Sequence, residues 1–185
     1  MIIETERLVL RPWKAADAEC LYRYASNPHV GPRAGWPPHR SVGESAEIIR
    51  TVFARPGVFA LTLKGNDEPI GCVGIVCGAE SNFPEIGDDE GEVGYWLGVP
   101  FWGRGLMPEA VSAIVDYGFR TMGLRRLWCG YFDGNEQSRR VQEKCGFRPH
   151  HTSVSVPVPL LGEERTEHVC LLARTDWELP NQGIQ

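Results

Sequence analysis

Val99-Pro100-Phe101-Trp102-Gly103-Arg104-Gly105-Leu106-Met107-Pro108-Glu109-Ala110 decides how this chain is read. Ahead of it, residues 92–99 read as a strand; behind it, residues 108–122 carry apolar side chains on most faces of a helix. Two glycines one residue apart join the two. Strand, glycine turn and helix start together present several backbone N–H groups to an anion, with the helix dipole pointing the same way. Pro108 suits the first helical turn, where its missing N–H costs nothing, and Glu109 suits the positive end. The segment is a candidate phosphate site, although an ordinary left-handed turn before a buried helix fits the same residues. Two familiar phosphate loops do not fit. The dinucleotide pattern G-x-G-x-x-G meets Pro108 at its third glycine, and the P-loop string G-x-x-x-x-G-K-S/T does not occur.

Working outward, residues 6–13 read as a strand and 15–26 as a helix beginning beside Asp17. Residues 31–38 form a Gly/Pro-rich loop holding Trp36. Residues 42–53 place Ala46, Ile49, Val52 and Phe53 at helical spacing, with Ser41 as the N-cap. Residues 58–64 and 69–77 read as a hairpin around Lys64-Gly65-Asn66-Asp67, followed by an acidic loop over 85–90. Gly123 is placed at C′ of the 108–122 helix, with Leu124 as its hydrophobic partner. Residues 125–132 form the next strand, 135–145 a second helix stopped by Gly146-Phe147, and 152–159 and 166–173 the last two strands. The order β-α-α-β-β-β-α-β-α-β-β gives an α/β (α+β) fold: a mixed sheet of about seven strands with helices on both faces. One domain is expected over 1–185.

A chain of 185 residues can bury one sizeable core, and 42% hydrophobic with 23% charged residues is ordinary for a soluble globular protein. A net charge of −5 argues against a nucleic-acid partner and permits an amine-bearing acceptor. The Arg125-Arg126 pair is too short to alter that. Cys20, Cys72, Cys77, Cys129, Cys145 and Cys170 form no C-x-x-C pair and have no histidine at zinc spacing. His150 and His151 lack a third ligand nearby in sequence, so no metal is expected. With neither a signal peptide nor a run of transmembrane length, a cytoplasmic protein without a membrane partner is expected.

The loop resembles the acyl-CoA loop of the GNAT N-acetyltransferases: Gln or Arg, two residues of any kind, Gly, one of any kind, then Gly or Ala. Aligned on Gly105, that pattern puts Trp102 at the Gln/Arg position and Met107 at the Gly/Ala position, both departures. W-G-R-G-L-M before a helix opening x-E-A is similar to the variant in the ribosomal-protein N-terminal acetyltransferase branch. Further segments resemble the same branch in the same order. They are Thr5-Glu6-Arg7-Leu8-Val9-Leu10-Arg11-Pro12-Trp13, Asp17-Ala18-Glu19 with Asn27-Pro28-His29-Val30, Glu92-Val93-Gly94-Tyr95-Trp96-Leu97, and residues 135–147 from Asn135 to Phe147. The resemblance implies a fold whose two central strands splay apart to admit a pantetheine arm.

It also implies a reaction, direct transfer of acetyl from acetyl-CoA to a primary amine in a ternary complex. Trp102, Gly103, Arg104, Gly105, Leu106 and Met107 would surround the pyrophosphate, and backbone groups of Leu97, Gly98 and Val99 would pair with the pantetheine. One of those N–H groups would polarise the thioester carbonyl. Asn135 and Ser138 complete the implied cofactor contacts. Because free amines have pKa values of roughly 8 (α-amino) to about 10 (lysine), a general base is called for. The resemblance assigns it to Glu92; read plainly, Glu92 is a solvated carboxylate ending the acidic run Asp88-Asp89-Glu90. Many of the family protonate the departing thiolate with a Tyr seven residues after the motif Asn. That position is Gln142 here, and the resemblance to the ribosomal branch implies Ser138 as the substitute acid. Read plainly, Asn135 is an N-cap and Ser138 a first-turn serine. Trp36 and its loop would wall the acceptor pocket.

Two other readings fit less of the chain. A non-catalytic acyl-CoA-binding module is favoured by Gln142, Trp102 and Met107. A nucleotide-binding α/β domain lacks the ribose-reading acid expected about 20 residues beyond the loop. The acceptor is left open among a protein N-terminus, a free amino acid, a polyamine and an amine-bearing drug. Oligomeric state is open too, a homodimer included.

Overall fold

The structure, a computed structural model, describes residues 1–83 and 86–178. Strands β1 (Ile3–Glu4), β2 (Leu8–Arg11), β3 (Val58–Leu63), β4 (Asn66–Cys77), β5 (Glu90–Leu97), β6 (Arg126–Phe132), β7 (Arg148–Val158) and β8 (Glu163–Ala173) form a single sheet. Its order is β1-β2-β3-β4-β5-β6-β8-β7, and every neighbouring pair is antiparallel except β5–β6. The sheet has eight strands rather than about seven, because Ile3 and Glu4 pair with Leu10 and Val9. Two residues carry no periodicity to read. β7 begins four residues earlier than the expected start at 152, since an exposed outer strand needs no apolar alternation. Glu85, the expected start of the acidic loop, lies outside the described residues, and Glu90, its expected end, already belongs to β5.

Helices α1 (Ala18–Ala25) and α2 (Val42–Ile48) cover one face, and α3 (Leu106–Asp116) and α4 (Glu136–Lys144) the other; α5 (Arg174–Glu178) follows β8. Wider π turns continue α2 over Ile49–Phe53 and α3 over Tyr117–Thr121. The strand period of two sorts β5 between the two cores. Val93 and Leu97 pack with Ala110, Val111 and Ile114 of α3, whereas Trp96 packs with Trp13, Leu21 and Ile49.

Local signals end the helices where the sequence places them. Ser41 accepts the Glu44 N–H at 3.0 Å as an N-cap. Gly123 adopts φ +71°, and the Leu124 N–H closes back on Gly118 O at 3.0 Å with its side chain buried. The entry to α1 is held electrostatically. Arg11 of β2 makes two parallel 2.8 Å bonds to the Asp17 carboxylate, and both side chains are buried.

β5 and β6 pair only through Glu90–Arg126, Gly91–Leu127 and Glu92–Trp128. Beyond Glu92, β5 stays paired with β4 and β6 with β8, so the two central strands part. This is the splay that the resemblance implied.

Asp17→Ala removes both parallel bonds and leaves the buried Arg11 guanidinium with Asp67 as its remaining carboxylate partner, so it should lower unfolding free energy by about 1.5–3 kcal/mol. Urea denaturation with unchanged m-value is the check.

Candidate active site

Parting the central strands leaves backbone groups without strand partners inside the molecule, and these must find others. The Gly98 N–H donates to Ile70 O of the β4 segment at 2.8 Å, so by alternation the backbone of Val93, Tyr95 and Leu97 faces the gap. Side chains meet part of this demand. The Cys129 thiol donates to Val93 O at 3.2 Å, the Trp102 indole Nε1–H to Leu97 O at 2.7 Å, and the Gln142 amide to Gly130 O of β6 at 2.9 Å. Gly94, halfway along β5, is exposed, and a Cβ built there would meet nothing within 4 Å. An exposed glycine in the fifth of eight strands leaves this face of the sheet uncovered beside the parted strands.

At the end of the gap lies the glycine turn. Gly103 and Gly105 take φ +72° and +73°, the left-handed region that glycine enters without strain. Leu106 and Met107 bury their side chains in the core, so they offer the site only their first-turn N–H groups. Met107 therefore departs from the family pattern without filling the loop. Arg7 sets the loop's orientation: its Nη1 donates to Arg104 O at 2.9 Å and its Nη2 to Gly105 O at 3.2 Å. A trans peptide points C=O and N–H in opposite directions, so holding these carbonyls turns the N–H groups of Gly105 and Leu106 away from Arg7.

Glu109 holds Arg7 in turn. Its Oε2 accepts Arg7 Nε at 2.7 Å, and its Oε1 accepts the Arg7 backbone N–H at 2.8 Å and the Thr5 hydroxyl at 2.5 Å. Burial pushes the Glu109 carboxyl up, but the bonds from Thr5 and Arg7 outweigh it and hold the group below its ordinary range. Sequence reading placed Glu109 at the helix start and overlooked Arg7, because no local spacing connects residues about a hundred positions apart.

Across the gap, Asn135 caps α4 by accepting the Ser138 N–H at 3.3 Å, and its Nδ2 donates to Arg33 O at 3.3 Å. The Arg33 guanidinium lies 5.4 Å from the Trp102 ring centre, so the 31–38 loop runs from α4 to the glycine turn. Trp36 meets Trp96 edge-on at 6.1 Å, on the face that carries Gly94. The Ser138 hydroxyl lies 2.9 Å from the Tyr95 hydroxyl and 3.3 Å from Gln142 Nε2. Gln142 is fully buried, and its Oε1 has no partner among the described residues.

Glu92 is not a freely solvated carboxylate. It is half-buried and accepts three bonds, from Ser81 Oγ at 2.8 Å, Asn82 N at 2.6 Å and Asn82 Nδ2 at 2.9 Å. It anchors the loop after β4. Of the three residues expected to pair with a pantetheine, Gly98 has its N–H turned to β4 and Leu97 has its carbonyl on Trp102; Val99 opens a 3-10 turn. Sequence reading overlooked the Tyr95 backbone, which faces the gap. It also overlooked Glu167 of β8, whose carboxylate fills the space over Gly130 of β6. Arg125 and Arg126 are spent on Glu90, at 3.3 and 3.2 Å. Among the described residues no His/Cys/Asp/Glu group could hold a metal ion, and no helix is long and apolar enough to cross a membrane.

The acetyltransferase (GNAT) domain matches residues 7–148 of the chain. The uncharacterised N-acetyltransferase p20 of Bacillus licheniformis is 32% identical over 149 residues, covering 78% of this chain and 80% of its own. A GNAT-family acetyltransferase from Bacillus anthracis shares the fold with TM-score 0.79 at 23% identity, over 94% of this chain and 98% of that one. So does the ribosomal-protein-S5-alanine acetyltransferase of Vibrio fischeri, with TM-score 0.73 at 24% identity over 96% and 98%. The chain belongs to the GNAT family and is an acetyltransferase.

Because the folded state depresses the Glu109 pKa, Glu109 stabilises the protein above the unfolded carboxylate range, near pH 4, and that stability is lost as pH falls through the folded value. Glu109→Gln should melt below wild type at pH 7, and the gap in Tm should close as the pH drops below about 4. Melting curves across that range test it.

Proposed function

We propose that this chain moves an acetyl group from acetyl-CoA directly to a primary amine, as a single domain over 1–185 acting in the cytoplasm. The observation that carries the reading is the parting of β5 from β6 after Glu92, beside an uncovered sheet face at Gly94 and leading to a glycine turn with aimed N–H groups. The turn from Trp102 through Met107 and the positive end of α3 suit a pyrophosphate. The gap-facing backbone of β5, with Val99, suits the pantetheine and thioester, and an N–H there would steady the oxyanion. Asn135 borders the same arm.

In this reading the acceptor nitrogen attacks the thioester carbon from the Trp36 and Trp96 side, and the C–S bond breaks toward Ser138. Ser138 is the donor to the departing sulfur. Glu92 is the carboxylate for the amine's proton, acting through water because its oxygens already hold Ser81 and Asn82. The departures that favoured a non-catalytic module each have another explanation: Trp102 and Gln142 satisfy gap carbonyls, and Met107 fills the core.

The acceptor class we favour is a protein N-terminal α-amine. At pH 7 about a tenth of such an amine is free base, against roughly one lysine in a thousand, so it asks least of the base. The naming of the Vibrio fischeri fold relative as a ribosomal-protein-alanine acetyltransferase agrees with this class. Neither a membrane nor a nucleic acid is part of the reading, and no metal is required.

Calorimetric titration with acetyl-CoA should show saturable one-to-one binding that Gly105→Glu abolishes; absence of binding at millimolar cofactor would end the reading. On peptides with free N-termini, Ser138→Ala should lower kcat by about tenfold or more with acetyl-CoA affinity intact. Glu92→Gln should lower turnover most at low pH, and an unchanged pH–rate profile would remove Glu92 from the mechanism.

A further inference from the structure

We propose that Tyr95 of β5 is a positioning residue for acetyl transfer: together with Gln142 it occupies the acceptor sites of Ser138 Oγ, so that the Ser138 hydroxyl hydrogen is aimed into the cleft at the thioester sulfur. The inference rests on the acetyl-transfer reading above. Position 142 lacks the phenol that α4 would otherwise carry, and the geometry brings one to the same spot from the opposite strand.

A serine hydroxyl has two acceptor sites and one hydrogen. The Tyr95 hydroxyl lies 2.9 Å from Ser138 Oγ and Gln142 Nε2 lies 3.3 Å from it. The amide nitrogen can only donate, and its other hydrogen is held by Gly130 O at 2.9 Å, which fixes which end of Gln142 faces the serine. The phenol hydrogen has two acceptors in reach, Ser138 Oγ at 2.9 Å and Ser138 O at 3.2 Å. Either hydroxyl could donate across the 2.9 Å contact; in this inference the phenol hydrogen lies on Oγ, the nearer of its two acceptors. With the phenol as donor both lone pairs of Ser138 Oγ are occupied, and its own hydrogen is left free for the gap. Burial pushes the Tyr95 phenol well above its ordinary range, so it remains a neutral donor throughout.

The step balances without a proton leaving Tyr95 or Ser138. The C–N bond forms, the C–S bond breaks, and the sulfur takes the electron pair while accepting the Ser138 hydrogen bond. The proton shed by the amine passes through water to Glu92, and the CoA thiolate takes its proton from solvent as Glu92 returns its own. Tyr95 thus acts only by fixing where the serine hydrogen points.

The test needs no acceptor. CoA bound to the full chain is titrated by thiolate ultraviolet absorbance, with the desulfo-CoA complex subtracted to cancel the six cysteines, including Cys129 and Cys145 near Tyr95. Tyr95→Phe should raise the bound thiol's pKa by about one unit, a tenfold fall in its ionisation constant. Ser138→Ala should do the same, and the double variant should shift it no further than Ser138→Ala alone. A Tyr95→Phe titration like wild type, or a shift that adds to that of Ser138→Ala, overturns the inference. Should Tyr95→Phe fail to bind desulfo-CoA, Gln142→Met carries the test, with the same direction expected and the same loss of effect in the Ser138→Ala background. If the wild-type protein binds no CoA, the acetyl-transfer reading falls and takes this inference with it; binding without the coupling overturns the inference alone.

Discussion

Two parallel strands that pair for three residues and then diverge impose a demand on everything around them. Each gap-facing N–H and C=O loses its sheet partner, and leaving one buried and unmet costs about 1–3 kcal/mol. The chain answers with side chains from three places: a thiol from β6, an indole from the glycine turn and an amide from α4. Those side chains are also the walls of the cleft. Fold stability and site geometry therefore depend on the same bonds, and residues that look like departures from a motif are part of how the gap is closed.

The anion end of the cleft depends on a second constraint, the direction of two peptide planes. A glycine turn permits left-handed backbone but does not choose which way its N–H groups point. Arg7 makes that choice by holding the carbonyls of Arg104 and Gly105, and Glu109 fixes Arg7 from the first turn of α3. The β1–β2 turn is thereby tied to the helix that would meet the phosphates. In a chain of net charge −5, the local field at this turn comes from the helix end and from Arg7 and Arg104 rather than from the overall charge.

Much of the frame was legible because it is encoded locally. Ser41 and Asn135 read as N-caps and act as such, since a side-chain oxygen two or three residues ahead of an orphan N–H can hardly do otherwise. Gly123-Leu124 and Gly146-Phe147 read as helix stops for the same reason. What escaped had no local signature. β1 is two residues long, the exposed start of β7 has no alternation, and Glu92 reads as the end of a charged run until Ser81 and Asn82 fold back onto it.

By itself the sequence determined the element order, the helix ends and the strand–glycine–helix junction, because these depend on chemistry within a few residues. It also carried, through several ordered segments, the family to which the chain belongs. Tertiary structure alone decided which groups meet across the cleft. Arg7 with Glu109, Cys129 with Val93, and Tyr95 with Ser138 lie 36 to 102 positions apart. The divergence of β5 and β6 gives the last two pairs a reason to meet, and the glycine turn gives one to Arg7 and Glu109.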